Sequence, residues 1–228
     1  MKKDLLSLLD LEKEDFENLF ARAIQLKARY AKGIFDKILT GKTLGLIFDK
    51  KSTRTRVAFE TAMIQLGGHP IYMSTQDTQI SRNEPAKDTA RVLSRYIDCL
   101  AMRTFDHTLV QEFAQSSTIP VINALTDSFH PCQILSDIMT VIEHKGGYDN
   151  IRIAWVGDGN NVANSWINAA SVLGFDLIIG CPDGYEIDPD ILEHAGTADK
   201  KNIAFTNDPK EAVKNADVVY TDVWASMG

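Results

Sequence analysis

The run Asp49-Lys50-Lys51-Ser52-Thr53-Arg54-Thr55-Arg56 places three hydroxyls and four cations on eight consecutive residues. An apolar stretch at 43–48 precedes it and a helical pattern at 55–66 follows, so it reads as a turn from strand to helix. Backbone N–H groups are unpaired at such a turn and the helix dipole is positive there, which suits phosphate. Arginine fits the task because its planar fork can donate two charge-assisted hydrogen bonds to one phosphate or carboxylate. A solvated basic helix start with a Ser or Thr cap fits the same residues. A Walker A loop is excluded: Gly41-Lys42-Thr43 supplies its ending, but Asp36 stands where the first glycine is required.

Other groups with chemical potential sit at the ends of apolar runs. Asp222 follows the run at 218–220, where a turn or cap role suits it better when it is read alone. His130 opens His130-Pro131-Cys132-Gln133, where a histidine before proline fits a structural role as well as a donor role. Cys132 beside His130 raises the possibility of a thiol nucleophile, but no third orienting group is visible, and it reads as a small residue at a helix start. Gly157-x-Gly159 after a strand suggests a dinucleotide fold, yet Val162 replaces the third glycine of that pattern and support for NAD is poor.

These groups need a scaffold. Between 12 and 32 the apolar positions Phe16, Leu19, Phe20, Ala23 and Ile24 recur at helical spacing, and Gly33 stands where a left-handed cap would sit. Strands are predicted at 43–48, 70–73, 99–102 and 120–122, with helices at 55–66, 86–96 and 108–115 between them. This alternation indicates a parallel sheet with crossover helices. A helix at 133–144 runs into the polar, glycine-bearing stretch 145–150, which sets the expected boundary between domains 1–146 and 147–228. Beyond it come a strand at 151–156, a helix at 162–173, a strand at 177–179, a helix at 190–194 and a strand pair around Ile203 and 218–220. The expected fold class is α/β: two doubly wound domains, each with a parallel sheet flanked by helices. There is no internal repeat or low-complexity tract.

Composition narrows the function classes. A chain of 228 residues can bury one large or two modest cores, and 44% hydrophobic with 24% charged residues is ordinary for a folded cytosolic enzyme. The net charge of -7 disfavours nucleic acid and anionic membranes as partners, so a bound phosphate must be met locally. Cys99, Cys132 and Cys181 are an odd number without a C-x-x-C pair, which indicates neither a disulfide framework nor a zinc ribbon and fits a reducing cytoplasm. The leucine-rich stretch after Met1-Lys2-Lys3-Asp4 is too short for a signal peptide, and no stretch approaches a membrane span.

Ser52-Thr53-Arg54-Thr55-Arg56 after a strand resembles the carbamoyl-phosphate loop of the aspartate and ornithine carbamoyltransferases, and further segments agree in order. Gln79 with Glu84 and Asp88-Thr89-Ala90-Arg91-Val92-Leu93 is similar to the family's next block. Met102-Arg103-Thr104 resembles its following strand end, and His130-Pro131-Cys132-Gln133 its His-Pro-x-Gln motif. Gly157-Asp158-Gly159-Asn160-Asn161-Val162-Ala163-Asn164-Ser165 and Asp222-Val223-Trp224-Ala225-Ser226-Met227-Gly228 complete the set, the last being similar to the ornithine-specific branch. The resemblance covers essentially the whole chain.

It implies that Ser52, Thr53, Arg54 and Thr55 hold the phosphate of carbamoyl phosphate, with Gln79 reaching a neighbouring subunit's site. Arg103 and His130 would reach the carbonyl oxygen, and Gln133 would orient the carbamoyl amide. Arg54, Arg103 and His130 are thereby the catalytic candidates. Attack by an amine puts negative charge on that oxygen, and each donor aimed there is worth on the order of 3 kcal/mol. Asn161, Asp222, Ser226 and the Met227 backbone would hold the amino-acid end of L-ornithine. The implied reaction gives L-citrulline and phosphate at a cleft between domains, with no metal or organic cofactor, in a cytoplasmic homotrimer or multiple of trimers acting in arginine metabolism. Transfer to another amine, such as putrescine or a modified ornithine, is the nearest alternative. Related enzymes continue beyond the Ser-Met-Gly with which this sequence ends, so a C-terminal segment is expected to be missing, and a non-catalytic ligand-binding fragment is the rival of a different class.

Overall fold

The computed structural model describes residues 2–74, 84–197 and 200–222. They form two compact units: residues 1–6 with 17–127, and residues 7–16 with 128–228.

In the first unit, Thr43–Phe48 (β1) is buried on both faces, as an inner strand of a parallel sheet must be. His69–Ser74 (β2), Cys99–Arg103 (β3) and Val121–Leu125 (β4) complete a four-stranded sheet in the order β2-β1-β3-β4, parallel throughout. Side chains alternate along the strands and so feed two layers. Leu44, Leu46 and Phe48 pack with Met63 of Arg54–Gln65 (α2), whereas Ile47, Leu100 and Met102 pack with Ala90 of Ala86–Leu93 (α3) and Phe113 of His107–Ser116 (α4). Helices therefore cover both faces. Each such buried aliphatic or aromatic side chain contributes roughly 1.5–3 kcal/mol. Helix Lys13–Tyr30 (α1) matches its predicted span closely, and Gly33 has the left-handed φ of 73° expected of it.

Two predicted elements differ at their ends. The helix expected at 86–96 stops at Leu93, where the Ser94 hydroxyl donates back to the Ala90 carbonyl at 2.7 Å. The strand expected at 120–122 runs on to Leu125, because Asn123 is buried in the sheet with its amide donating to the Leu6 carbonyl at 2.9 Å. That contact belongs to an N-terminal segment the sequence left unassigned: Leu5 bridges Ile122 in parallel along the edge of β4.

In the second unit Arg152–Val156 (β5), Asp176–Gly180 (β6), Ile203–Thr206 (β7) and Val218–Tyr220 (β8) make a parallel sheet in the order β7-β6-β5-β8. The two last strands are therefore not a pair; they form opposite edges of the sheet. Helix Asn161–Leu173 (α6) is buried almost all round, since it touches the sheet on one side and Pro131–Lys145 (α5) and the 3-10 turn Leu8–Asp10 on others. The remaining helices, Pro189–His194 (α7) and Pro209–Ala212 (α8), each start with an Asp cap and a proline. The sequence reading missed α8, which is only four residues long. The compact units part at Asp127/Ser128, earlier than the glycine-bearing stretch at 145–150, because α5 packs against α6. No helix among the described residues is long and apolar enough to cross a membrane.

Candidate active site

Open parallel sheets bind ligands beyond the C-terminal ends of their strands, at the point where successive connections diverge to opposite sides. In the first unit that point lies between β1 and β3. The Ser52-Thr53-Arg54-Thr55 turn leaves β1 and Arg103 ends β3, so topology places both at the switch point. Thr53 occupies the N-cap position of α2 without a side-chain cap bond, so the bond that a purely capping role requires is not made. The Arg103 Nη1 donates to the Thr55 hydroxyl at 3.4 Å, while its buried Nε meets no partner among the described residues. Burial pulls the Arg103 guanidinium below its ordinary pKa, and among the described residues no carboxylate offsets that. An unmet buried donor costs about 1–3 kcal/mol, which an oxygen-rich anion would relieve.

Neighbouring groups fix the turn. The Asp49 N–H donates to the Arg103 carbonyl at 2.8 Å, and the Thr104 hydroxyl donates to the Asp49 carboxylate at 3.2 Å. Lys50 pairs with Asp127 and lies 4.3 Å over the ring of Phe105, tying the ends of β1, β3 and β4. The two arginines of the turn differ. Arg56 stacks 3.5 Å over the Tyr72 ring and donates to Glu60 at 2.9 Å, which raises its pKa, whereas Arg54 is exposed.

The second unit has its own switch point, between β5 and β8, and Asn161 and Asp222 stand at it. Asn160 caps α6 by accepting from the N–H groups of Val162 and Ala163, and its amide donates to Asp158 at 3.0 Å and to Asp222 at 3.3 Å. It thus steers the carboxylate expected to take an α-ammonium. His130 is buried at the start of α5; its backbone N–H donates to the Ser165 hydroxyl at 2.8 Å, which in turn donates to the Asn161 carbonyl at 2.7 Å. The Asn164 amide holds the Ser128 carbonyl at 3.0 Å. Gln133, one turn into α5, donates to both oxygens of Asp137, at 3.0 and 3.2 Å.

Sequence reasoning gave roles to His130, Gln133, Asn161 and Asp222, quoted Lys50 and Asn160 only as members of their motifs, and missed Asp137. The signal for Asn160 was present as an Asn before an apolar helix, while Asp137 lies four residues after Gln133 on the same helix face. Gln79, Ser226 and Met227 lie outside the described residues.

Two other readings are answered by local physics. A Cβ on Gly159 would come within 2.6 Å of the Glu186 backbone, and the Gly159 N–H donates to the Tyr185 carbonyl at 2.7 Å, so this glycine lets two loops approach. Burial pushes the Cys132 thiol up to about 12, which leaves almost no thiolate for nucleophilic attack at neutral pH. Among the described residues no group of three or more His, Cys, Asp or Glu side chains is placed to hold a metal ion.

Parallel sheets with a basic helix start at one switch point and a carboxylate held by Asn160 at the other define a two-unit α/β protein. Residues 3–143 match the aspartate/ornithine carbamoyltransferase carbamoyl-P binding domain, and residues 149–228 match the Asp/Orn binding domain of the same family. The chain belongs to the aspartate/ornithine carbamoyltransferase family. It is 55% identical over its whole length to the ornithine carbamoyltransferase of Syntrophus aciditrophicus, of which it covers 76%. A solved ornithine carbamoyltransferase from Pyrococcus furiosus superposes with a TM-score of 0.93 at 46% identity, over 99% of this chain and 73% of that one. The Giardia lamblia ornithine transcarbamoylase superposes at 0.87 with 32% identity, over 99% of this chain and 75% of that one.

Proposed function

We propose that the protein transfers the carbamoyl group of carbamoyl phosphate to the side-chain amine of L-ornithine, giving L-citrulline and phosphate by direct attack through a tetrahedral intermediate. The observation that carries the reading is the phosphate-type turn of the first unit, where the uncapped start of α2 meets a half-buried Arg103 with an unmet Nε. Ser52, Thr53, Arg54 and Thr55 hold the phosphate, and Gln79 joins them. Arg103 and His130 take up the charge that develops on the carbonyl oxygen, and Gln133 orients the carbamoyl amide. Asn161, Asp222, Ser226 and Met227 hold the amino-acid end of ornithine, leaving the distal amine free. The amine nitrogen bonds to the carbamoyl carbon, the carbon–oxygen bond to phosphate breaks, the nitrogen's surplus proton ends on the departing phosphate as HPO4(2-), and Arg54 stabilises that phosphate as it leaves. Direct attack by a neutral amine on an activated carbonyl calls for no metal, organic cofactor or covalent enzyme intermediate. Asp222 together with Ser226 and Met227 favours ornithine over putrescine: the second ammonium of putrescine could pair with Asp222, but putrescine has no α-carboxylate for the amide and backbone donors.

In this reading residues 1–146 form the carbamoyl-phosphate domain and 147–228 the ornithine domain of a cytoplasmic enzyme of arginine metabolism. It works as a homotrimer or multiple of trimers. Edge strand β2 leaves Ile71 and Tyr72 exposed, and Val57 and Ile64, seven residues apart on one face of α2, are exposed as well; a second copy would cover them. Gln79 then acts on the neighbouring subunit's carbamoyl phosphate, in a closed ring of identical chains. A Gln79→Ala chain and an Arg54→Ala chain, each nearly inactive alone, should regain citrulline formation when co-assembled, because mixed rings contain sites with both residues intact. Failure in demonstrably mixed oligomers, or a fully active monomer by sedimentation, would rule the shared site out.

A further inference from the structure

Asp137 is half-buried on α5 and receives three donated hydrogen bonds: two from the Gln133 amide nitrogen and one from the Tyr220 hydroxyl at 2.8 Å. The Tyr220 ring is itself fixed, stacked on Trp155 and edge-on to Trp166, each at 5.5 Å between centroids. An ionised carboxylate has no proton to give, so only the nitrogen end of Gln133 can face it. The other end of the amide, its carbonyl oxygen, therefore points away from Asp137. A carbamoyl group presents one acceptor, its carbonyl, and one donor group, its NH2. With Arg103 and His130 assigned to the carbonyl, the NH2 needs an acceptor.

We propose that Asp137 is a positioning residue that sets the orientation of the Gln133 amide, so that the Gln133 carbonyl oxygen accepts from the NH2 of carbamoyl phosphate. Tyr220 holds Asp137 in turn, from a strand that ends two residues before Asp222. The inference rests on the reading of Gln133 as the residue that orients the carbamoyl amide. Burial raises the Asp137 pKa, against the pull of the Tyr220 and Gln133 hydrogen bonds, so the site depends on those donors to keep the carboxylate charged.

Replacing Asp137 reverses the polarity. In Asp137→Asn the Tyr220 hydroxyl takes the one amide oxygen, the new NH2 faces Gln133, and Gln133 must turn round to accept from it. Its own NH2 then meets the NH2 of carbamoyl phosphate. Steady-state kinetics of the full chain should show the KM for carbamoyl phosphate raised about 10- to 100-fold, as expected for a lost and mismatched hydrogen bond, with the KM for ornithine within about threefold. The exchanged pair Gln133→Glu with Asp137→Asn restores an acceptor toward the ligand, since the carboxylate introduced on α5 accepts both from the new amide and from carbamoyl phosphate. It should recover to within about fivefold of the parent KM. Gln133→Glu alone sets two carboxylates against each other and should stay impaired. A purely structural Asp137 predicts no such rescue. If Gln133→Ala leaves the KM for carbamoyl phosphate unchanged, the reading of Gln133 fails and the inference falls with it. If Gln133→Ala is impaired but Asp137→Asn is not, or the folded exchanged pair is no better than Asp137→Asn, Asp137 has no positioning role and the Gln133 reading stands. Should Asp137→Asn not fold, the exchanged pair decides alone, and its own failure to fold overturns the inference, because it keeps every hydrogen bond invoked here.

Discussion

Arg54→Ala should lower kcat/KM for carbamoyl phosphate by two to three orders of magnitude, measured as citrulline formed under varied carbamoyl phosphate. The expected size follows from losing a charged donor that bears on developing negative charge, a loss of about 3–4 kcal/mol. Both kcat and KM should suffer, since in the proposed role the same guanidinium holds the phosphate in the bound state and stabilises it on departure. Arg54→Lys should recover only part of the loss, because a point charge cannot reproduce the planar two-bond contact. Arg56 cannot stand in for Arg54, being committed to the Tyr72 ring and Glu60. Near-parent kinetics in Arg54→Ala would remove this arginine from the phosphate site.

Asp222→Asn should raise the KM for ornithine about 10- to 100-fold, matching the roughly 1.5–3 kcal/mol of a hydrogen bond to a charged group. Carbamoyl-phosphate affinity, read by calorimetry, should change less than about threefold, because the residues proposed to hold the phosphate, Ser52 to Thr55, belong to the other unit. Asn160 makes the substitution informative: it already donates to the Asp222 carboxylate at 3.3 Å, and an asparagine oxygen at 222 can still accept that bond. The local structure is preserved while the charge is lost. Equal weakening of both ligands would instead assign Asp222 a structural role.

The sequence made some of this legible and hid the rest for physical reasons. β1 is found at its observed bounds, since a strand buried on both faces is a continuous apolar run with polar residues on either side. Strand β4 is cut short in a sequence reading because Asn123 looks like a terminator, and its amide is met by the Leu6 carbonyl, 117 positions away, and by the Thr126 hydroxyl. The N-terminal bridge and the grouping of α5 with α6 likewise depend on contacts between distant positions, which local pattern does not encode. Among the candidate residues, the turn at 52–55 stands out by type and by its place between a strand and a helix, whereas Arg103, His130 and Asp222 gain their roles only from the order of the family's motifs. Asp137 has neither signal: a carboxylate on a helix face reads as solvated until Tyr220, 83 positions later, is seen to donate to it. Asn160 and Asn161 are indistinguishable by composition, and the cap geometry separates them, one as the residue that steers Asp222 and the other as the first residue of α6.

The most direct test of the central claim is to follow the carbamoyl carbon. Purified protein is given 13C-labelled carbamoyl phosphate with ornithine, putrescine or aspartate in separate reactions, and products are read by NMR alongside released phosphate. Carbamoyl transfer to ornithine predicts labelled citrulline and phosphate in equal amounts, with putrescine and aspartate carbamoylated at least about a hundredfold more slowly, the discrimination expected when a site's charged and polar partners go unmatched. Comparable carbamoylation of putrescine or aspartate, or phosphate release without a labelled amine product, would contradict it.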